Sequence, residues 1–227
     1  MKKFLLAPVA ALAAVVSFAS PALADGSVDI PNGVIYPNCT YHQAKYSAAD
    51  YAWKFSGDVM DPTGGYASFL FFEGAAPGSG TTTGDDGLMF CGGMDRVGTY
   101  SIADGEYCYD DYSVCASFSD TFTMRKAYSR TTLSISDTTA AYGQRITFRA
   151  TSKAEYKTGY FANKYETVRF QRRIDGVWRT FATASTNTYG AARVTVAWKY
   201  RSAKAVRAVT VTTTEYAGSQ SAVKTVY

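Results

Sequence analysis

The sequence contains a single histidine, His42, and four cysteines, none of which form a Cys-x-x-Cys pair. A Ser-His-Asp or Cys-His catalyst needs a histidine within hydrogen-bond reach of its nucleophile. His42 follows Cys39 by three residues, and no Gly-x-Ser-x-Gly motif marks a nucleophile for it. A zinc hydrolase needs several His and carboxylate ligands at set spacings, which one histidine cannot supply. We therefore predict that the protein is not an enzyme.

Amphipathic helical periodicity is also missing, and leucine is scarce, whereas the chain holds 18 tyrosines and 13 phenylalanines. Threonine, valine and aromatic residues favour strands, because branched or flat side chains pack well on a pleated surface. The composition therefore predicts an all-β protein.

The long apolar run of the sequence lies at its N-terminus, between Met1-Lys2-Lys3 and Pro21-Ala22-Leu23-Ala24. A positive start, a short apolar core and small residues before the cleavage point are typical of a secretory signal peptide. The alternative is a membrane anchor, but a span needs about 20 apolar residues. We predict a signal peptide over residues 1–24. The mature protein would then be secreted, extracellular or loosely associated with the cell wall, and without a membrane span.

Export to an oxidising compartment favours disulfide bonds between the cysteines. Cys39, Cys91, Cys108 and Cys115 allow three pairings. We favour Cys108–Cys115, which closes a short hairpin-like loop, together with Cys39–Cys91. A metal site is the alternative, although the cysteine spacing does not match that of zinc sites.

Charge divides the chain into two unlike halves. Residues 25–126 contain 14 Asp/Glu and 5 Lys/Arg, a net charge of −9, whereas residues 127–227 contain 5 and 16, a net charge of +11. All four cysteines lie in the acidic half. This asymmetry predicts an acidic, cysteine-containing β domain over 25–126 and a basic β domain over 127–227.

The basic half has a turn signal about every ten residues, including the hairpin signal Asp175-Gly176. About seven short strands predict an immunoglobulin-like β-sandwich, with a long polar loop over 153–163. In the acidic half we predict a second antiparallel sandwich stapled by disulfides, with a small β-barrel as the alternative. A Gly/Ser/Thr-rich loop is predicted over 74–87 and a single strand over 115–124.

Several segments of the basic half resemble the bacterial Ig-like modules of secreted actinobacterial proteins. The resemblance covers about residues 130–227. Its segments are Tyr142–Thr147, Val168–Arg173, Gly176–Thr180, Thr186–Gly190 and Val206–Ala208. It implies a sandwich fold and an accessory or adhesive role, and it brings no catalytic residues.

Clustered lysines and arginines make the basic half a candidate for binding polyanions. The first cluster, which we expect on one exposed strand face, is Lys164, Arg169, Arg173 and Arg179. The second is Lys199, Arg201, Lys204 and Arg207. For a secreted bacterial protein we expect an anionic cell-wall polymer rather than nucleic acid. The alternatives are a solvated surface and docking onto the acidic half or onto another copy.

The segment Tyr107–Cys115 suggests a second kind of function. If Cys108 and Cys115 pair, a rigid loop displays Tyr109 and Tyr112, and preorganised aromatics suit recognition. The protein would then be a protein–protein interaction factor, an inhibitor or an adhesin. The alternative is a stapled turn whose tyrosines pack on the sheet.

Acidic residues near the same loop form a candidate calcium site. Calcium takes several oxygen ligands from flexible loops. The cluster is Asp104, Glu106, Asp110 and Asp111. It lacks the EF-hand spacing, and a solvated acidic surface is the alternative; no other cofactor is predicted. A hydrolase with a catalytic acidic pair in the acidic half is a distant third hypothesis, and its candidate carboxylates are Asp58, Asp61, Asp85, Asp86, Asp104, Glu106, Asp110 and Asp111.

Overall fold

The computed structural model of the protein describes residues 26–48, 52–75, 77–82, 86–109 and 114–227. Strands occupy most of these residues, and none of the described residues lies in an α-helix. Within the same ranges no helix is long and apolar enough to cross a membrane. The predicted signal peptide, residues 1–24, lies outside the described residues. The all-β prediction is confirmed.

The acidic half is built from ten strands and the first part of an eleventh. In chain order they are β1 (Ser27–Asp29), β2 (Gly33–Ile35), β3 (Thr40–His42), β4 (Lys45–Ala48), β5 (Ala52–Met60), β6 (Tyr66–Ala75), β7 (Gly78–Thr81), β8 (Leu88–Phe90), β9 (Gly98–Tyr109), β10 (Val114–Phe118) and β11 (Thr121–Ile135). The largest sheet orders β6-β5-β9-β11, with β10 on β9 and β2 on β11.

Two smaller sheets, β1-β4-β7 and β3-β8, complete the acidic half. One hydrophobic core draws on all three sheets. It contains Phe55 and Leu70 from the largest sheet, Ala48 from the three-stranded sheet and Phe90 from the two-stranded sheet. Stacked aromatic rings dominate its centre, with the ring centroids of Phe55 and Phe72 4.8 Å apart. Such packing explains how a leucine-poor sequence forms a core.

The basic half continues with nine further strands. They are β12 (Arg145–Tyr156), β13 (Gly159–Ala162), β14 (Thr167–Ile174), β15 (Val177–Ser185), β16 (Ala191–Ala197), β17 (Lys204–Thr210), β18 (Tyr216–Ala217), β19 (Ser219–Gln220) and β20 (Lys224–Val226). One sheet joins β11, β12 and β16, with β13 on β12. The other orders β15-β14-β17, with β19 and β20 on β17.

The two sheets of the basic half enclose a second core. Phe148 and Ile146 from one sheet meet Val168 and Phe170 from the other, and Trp198 is fully buried beside them. Asp175 and Gly176 both have positive φ, 50° and 78°, as a two-residue hairpin turn between β14 and β15 requires. The predicted immunoglobulin-like sandwich is thus confirmed by the strand order.

Strand β11 is shared by both halves. Residues 121–124 of this strand pair with β9, and residues 129–135 pair with β12. The predicted boundary at 126/127 therefore falls inside a continuous 15-residue strand. A small third cluster sits at this junction, with Ala127, Ala154 and Tyr216 buried against Val34 and Tyr36.

Both favoured disulfides are present. Cys39–Cys91 joins residues 52 positions apart, next to the β3–β8 pair. Cys108–Cys115 joins directly opposite residues of β9 and β10. No free cysteine occurs among the described residues. Disulfide bonds are typical of proteins outside the cytosol.

Three local predictions were wrong. Part of the predicted 74–87 loop is strand β7, which pairs with β4. The predicted single strand over 115–124 is two strands, β10 and β11, separated by Ser119 and Asp120. The predicted 153–163 loop is the hairpin of β12 and β13. Each of these segments is held by pairing with a neighbouring strand, which sequence periodicity does not reveal.

Candidate functional site

The outer face of the β11-β12-β16 sheet carries five exposed cations. Alternate residues of a strand point to opposite sides of the sheet. In β12 the inward residues are apolar except for Ser152, and the outward ones, from 145 to 153, read Arg-Thr-Arg-Thr-Lys. We name as the first basic face the residues Arg130, Arg145, Arg149, Lys153 and Arg193.

Like charges stand directly opposite each other on this face. Arg149 of β12 pairs with Arg193 of β16, and Lys153 pairs with Arg130 of β11. Like charges at directly opposed positions are destabilising. A shallow hollow of about 360 Å³ is lined by Arg149 and Arg193, together with Ser134, Thr147 and Asn187 among other residues. This arrangement suits an anion that contacts both guanidinium groups at once.

No carboxylate of the described residues forms an ion pair with the first basic face, although Glu155 is close enough to Arg130 for an electrostatic interaction. Outward residues 130–134, 145–153 and 191–197 include no Asp or Glu. The four ion pairs found in the described parts of the chain are Lys45–Asp29, Lys54–Glu106, Arg96–Asp61 and Arg125–Glu155. Glu155 bounds the face at the junction, where Arg125 contacts both of its oxygens.

The outer face of the other sheet carries the second basic face, which we define as Arg169, Arg173 and Arg207. Arg207 is held in place, because its Nε donates to Gln171 Oε1 at 2.9 Å and its guanidinium lies 4.2 Å from the centroid of the Trp178 ring. It also donates to Gln220. A hollow of about 560 Å³ lies next to Arg169.

The strand register groups the predicted lysines and arginines differently from the two clusters predicted from the sequence. Arg207 joins Arg169 and Arg173, although it was assigned to the second cluster. Arg179 does not share their face, because it stands opposite Arg172, which contacts Phe181 and Tyr200 on the core side. The remaining predicted cations lie in loops or at a strand start. They are Lys164 before β14, Lys199 and Arg201 between β16 and β17, and Lys204 at the first residue of β17.

Among the described residues, the two oppositely charged halves contact each other at the shared strand and beside it. Besides the Arg125–Glu155 pair, Lys126 Nζ donates to the Thr213 carbonyl at 2.8 Å. Lys157 Nζ reaches the Tyr41 carbonyl at 3.4 Å. None of the four ion pairs joins a carboxylate of residues 26–126 to a cation of residues 127–227. Docking of the acidic surface onto the basic faces is therefore not what joins the halves.

In the stapled hairpin, which is the β9–β10 hairpin closed by the Cys108–Cys115 disulfide, Tyr109 is less exposed than the sequence predicts. Tyr109 is half-buried, packs on the first core and stacks on Tyr107 with centroids 6.1 Å apart. Tyr112 lies outside the described residues. An exposed aromatic pair on the outer side of the same sheet was missed: the rings of Phe69 and Phe71, on β6, stack with centroids 6.1 Å apart.

The predicted calcium ligands are only partly described. Glu106 forms an ion pair with Lys54 at 3.0 Å, and Asp104 is exposed in β9. Asp110 and Asp111 lie outside the described residues. One group of three ligand atoms was found in the described ranges, Glu106 with Cys108 and Cys115. Its two sulfurs are bonded to each other, so this group does not suit a metal.

His42 lies in a packing environment. Its Nε2 is 2.5 Å from the Pro31 carbonyl oxygen, and its ring lies 6.3 Å from those of Phe90 and Phe122. Asp61 accepts hydrogen bonds from Thr63, including its hydroxyl, and from Gly65. Those bonds hold the pKa of Asp61 below its usual range, which is the reverse of what a general acid needs.

Sequence reasoning missed all five residues of the first basic face. The signal was present in β12, where cations recur at every fourth residue from 145 to 153. The pairing of Arg149 with Arg193 joins residues 44 positions apart, and only the sheet register reveals it.

Comparisons with known proteins find structural similarity at low sequence identity. No protein-family model matches, and no curated protein matches. Among solved structures, the D00-D0 domain of intimin is 17% identical with a TM-score of 0.34, covering 89% of this chain and 100% of that one. The Yersinia pseudotuberculosis adhesin InvE is 13% identical with a TM-score of 0.32, covering 86% and 58%.

A tetra-tandem repeat in the extending region of a large adhesion protein is 14% identical, with a TM-score of 0.34. That match covers 89% of this chain and about half of the other. The immunoglobulin-like character of residues 127–227 stands on their own strand order. An actinobacterial relationship stays a prediction.

Proposed function

We propose that the protein is a secreted, non-enzymatic binding protein that holds an anionic extracellular polymer, such as a cell-wall polymer, on its basic half. One observation carries this proposal: the unpaired first basic face, in which Arg149 opposes Arg193 and Lys153 opposes Arg130. A face of this kind attracts phosphate or sulfate groups and is stabilised when they bind.

The geometry of the face favours an extended polymer over a single small anion. Arg145, Arg149 and Lys153 follow each other at every fourth residue, so their spacing along β12 is roughly 13 Å per step. Thr147 and Thr151 lie between them, and the Thr147 and Thr195 hydroxyls are 2.8 Å apart. Hydroxyls between cations supply hydrogen bonds to uncharged parts of a chain.

The proposal is tested by measuring binding to purified bacterial cell walls and to linear polyphosphate over a range of salt. We expect log affinity to fall linearly with log salt concentration, by roughly 0.7 per phosphate contact. The double variant Arg149→Gln/Arg193→Gln should reduce that slope by about 1.4. A slope that is unchanged in this variant, or binding that is insensitive to salt, would refute the assignment to the first basic face.

A second candidate function is protein binding by the acidic half, which the exposed pair Phe69 and Phe71 favours. Exposed stacked rings on an edge strand are typical of interaction surfaces. Strand β6 pairs with β5 at Glu73 and Lys54, β5 pairs with β9 at Lys54 and Cys108, and β9 pairs with β10 at Cys108 and Cys115. The stapled hairpin therefore belongs to the same sheet as Phe69 and Phe71. In this case Phe69→Ser/Phe71→Ser should abolish binding of a protein partner and leave polyphosphate binding intact.

A further inference from the structure

The two basic faces point in opposite directions. Phe148 of β12 and Phe170 of β14 both face the shared core, with ring centroids 6.4 Å apart. Their strand neighbours Arg149 and Arg169 alternate to the outside. Because packed sheets lie about 10 Å apart, a chain on one outer face cannot contact the other without passing around an edge of the sandwich.

The second basic face is also free of carboxylates on its strands. Outward residues of β14, β15 and β17 are Arg, Gln, Thr, Ser, Trp, Val and Ala. Arg207 is fixed between Gln171, Gln220 and the ring of Trp178. A preordered guanidinium loses little conformational entropy when an anion binds. Arg169 and Arg173 flank it on β14, both exposed.

We propose that the basic half bridges two polyanion chains, holding one on each basic face. This inference rests on the proposed function and extends it from binding to cross-linking. The acidic half, with a net charge of −9 over residues 25–126, repels polyanions and confines both chains to the sandwich. The protein therefore gathers anionic strands around residues 127–227 and leaves the acidic half free of them.

The test uses the full protein with inorganic polyphosphate of two lengths. A chain short enough to cover one face reports stoichiometry by isothermal titration calorimetry. A long chain reports bridging by light scattering. We expect two short chains per protein, and with long chains a scattering signal that rises and then falls as polyphosphate is added in excess. Such a maximum is typical of a cross-linker with a fixed valence.

Three double variants, each lacking two positive charges, distinguish the effect of where the charges lie from the effect of the total charge. Arg149→Gln/Arg193→Gln removes the centre of the first basic face, and Arg169→Gln/Arg173→Gln removes most of the second. Lys157→Gln/Lys224→Gln is the control, because Lys157 lies in the turn between β12 and β13 and Lys224 on β20, and both are exposed residues outside the two faces. Each face variant should bind one short chain and lose the scattering maximum, whereas the control should keep both properties.

The outcomes distinguish this inference from the function on which it rests. If the unmodified protein binds one short chain and scatters no more light with long chains, bridging is wrong and polymer binding stands. If it binds neither length, both are wrong. If the control loses bridging as fully as the face variants, total charge decides the behaviour and the two-face assignment fails.

Discussion

Arg125 holds Glu155 with both ends of its guanidinium, Nη1 to Oε2 at 2.9 Å and Nη2 to Oε1 at 3.1 Å. Glu155 Oε2 also accepts the Tyr128 backbone N–H at 2.9 Å. The pair crosses the point where strand β11 leaves the acidic half and enters the basic half. It is therefore the ionic contact that fixes the two halves at their junction.

The junction should weaken in acid. Hydrogen bonds from Arg125 hold the pKa of Glu155 below its usual range. A carboxylate with a lowered folded-state pKa contributes stability above its unfolded pKa, near 4.3, and loses it as pH falls through the folded-state value. We expect the urea concentration at the unfolding midpoint to decrease when the pH is lowered below about 4.3. The Glu155→Gln variant should show a smaller decrease over the same pH range.

The matched control for this prediction is Glu215→Gln, which removes an exposed carboxylate from the same half. At neutral pH the loss of the partly exposed Glu155 pair should cost up to about 1 kcal/mol, and Glu215→Gln should cost almost nothing. Identical pH profiles for both variants would show that the ion pair does not stabilise the junction.

Arg193→Thr should stabilise the protein and weaken polyanion binding. It removes the like charge opposite Arg149, which costs roughly 0.2–1 kcal/mol, and threonine suits a strand. Thermal unfolding and polyphosphate affinity are the two measurements. Arg145→Thr is the control, since Arg145 faces Ala197: it should weaken binding without gaining stability. A destabilised Arg193→Thr variant would contradict the like-charge argument.

The two disulfides should differ in their contribution to stability. A cross-link restrains the unfolded chain more when it closes a longer loop. Cys39–Cys91 spans 52 positions and Cys108–Cys115 spans 7. Replacing each pair by alanine should cost about 4 and about 2 kcal/mol, respectively, measured by denaturant unfolding. The reverse order would indicate that local packing, rather than loop closure, decides the effect.

Thr131→Val should be among the more damaging single changes in the basic half. The buried Thr131 hydroxyl lies 2.6 Å from that of Thr210 and 2.7 Å from that of Ser219. Thr210 in turn donates to Ser152 at 3.0 Å. Removing the hydroxyl leaves buried partners with one bond fewer, which costs about 1–3 kcal/mol.

Thr132→Val is the control for this change, because Thr132 is the next residue of β11 and is exposed. It should alter the free energy of unfolding by no more than about 0.5 kcal/mol. Equal effects of both substitutions would mean that water, or a rearranged neighbour, satisfies the buried hydroxyls.

The amino-acid sequence was enough to predict the fold class, both disulfides and most strands of the basic half. These depend on local features: alternating apolar residues such as Ile146 and Phe148, a two-residue turn at Asp175-Gly176, and the short separation of Cys108 and Cys115, which leaves Cys39 and Cys91 as the remaining pair. It failed for β7 and β13, because glycine-rich or polar segments become strands only when a neighbouring strand supplies hydrogen bonds.

Which cations lie together depends on how the strands pair in the folded protein. Alternation within β12 predicts that Arg145, Arg149 and Lys153 share a side. The pairing of β12 with β16 and β11 brings Arg193 and Arg130 opposite them, and the register at Arg179 removes that residue from the second basic face. Side-chain alternation has a period of two residues and is readable along one strand. The partner of a strand depends on a core formed by residues far apart in the chain, and the register of that pairing places the charges.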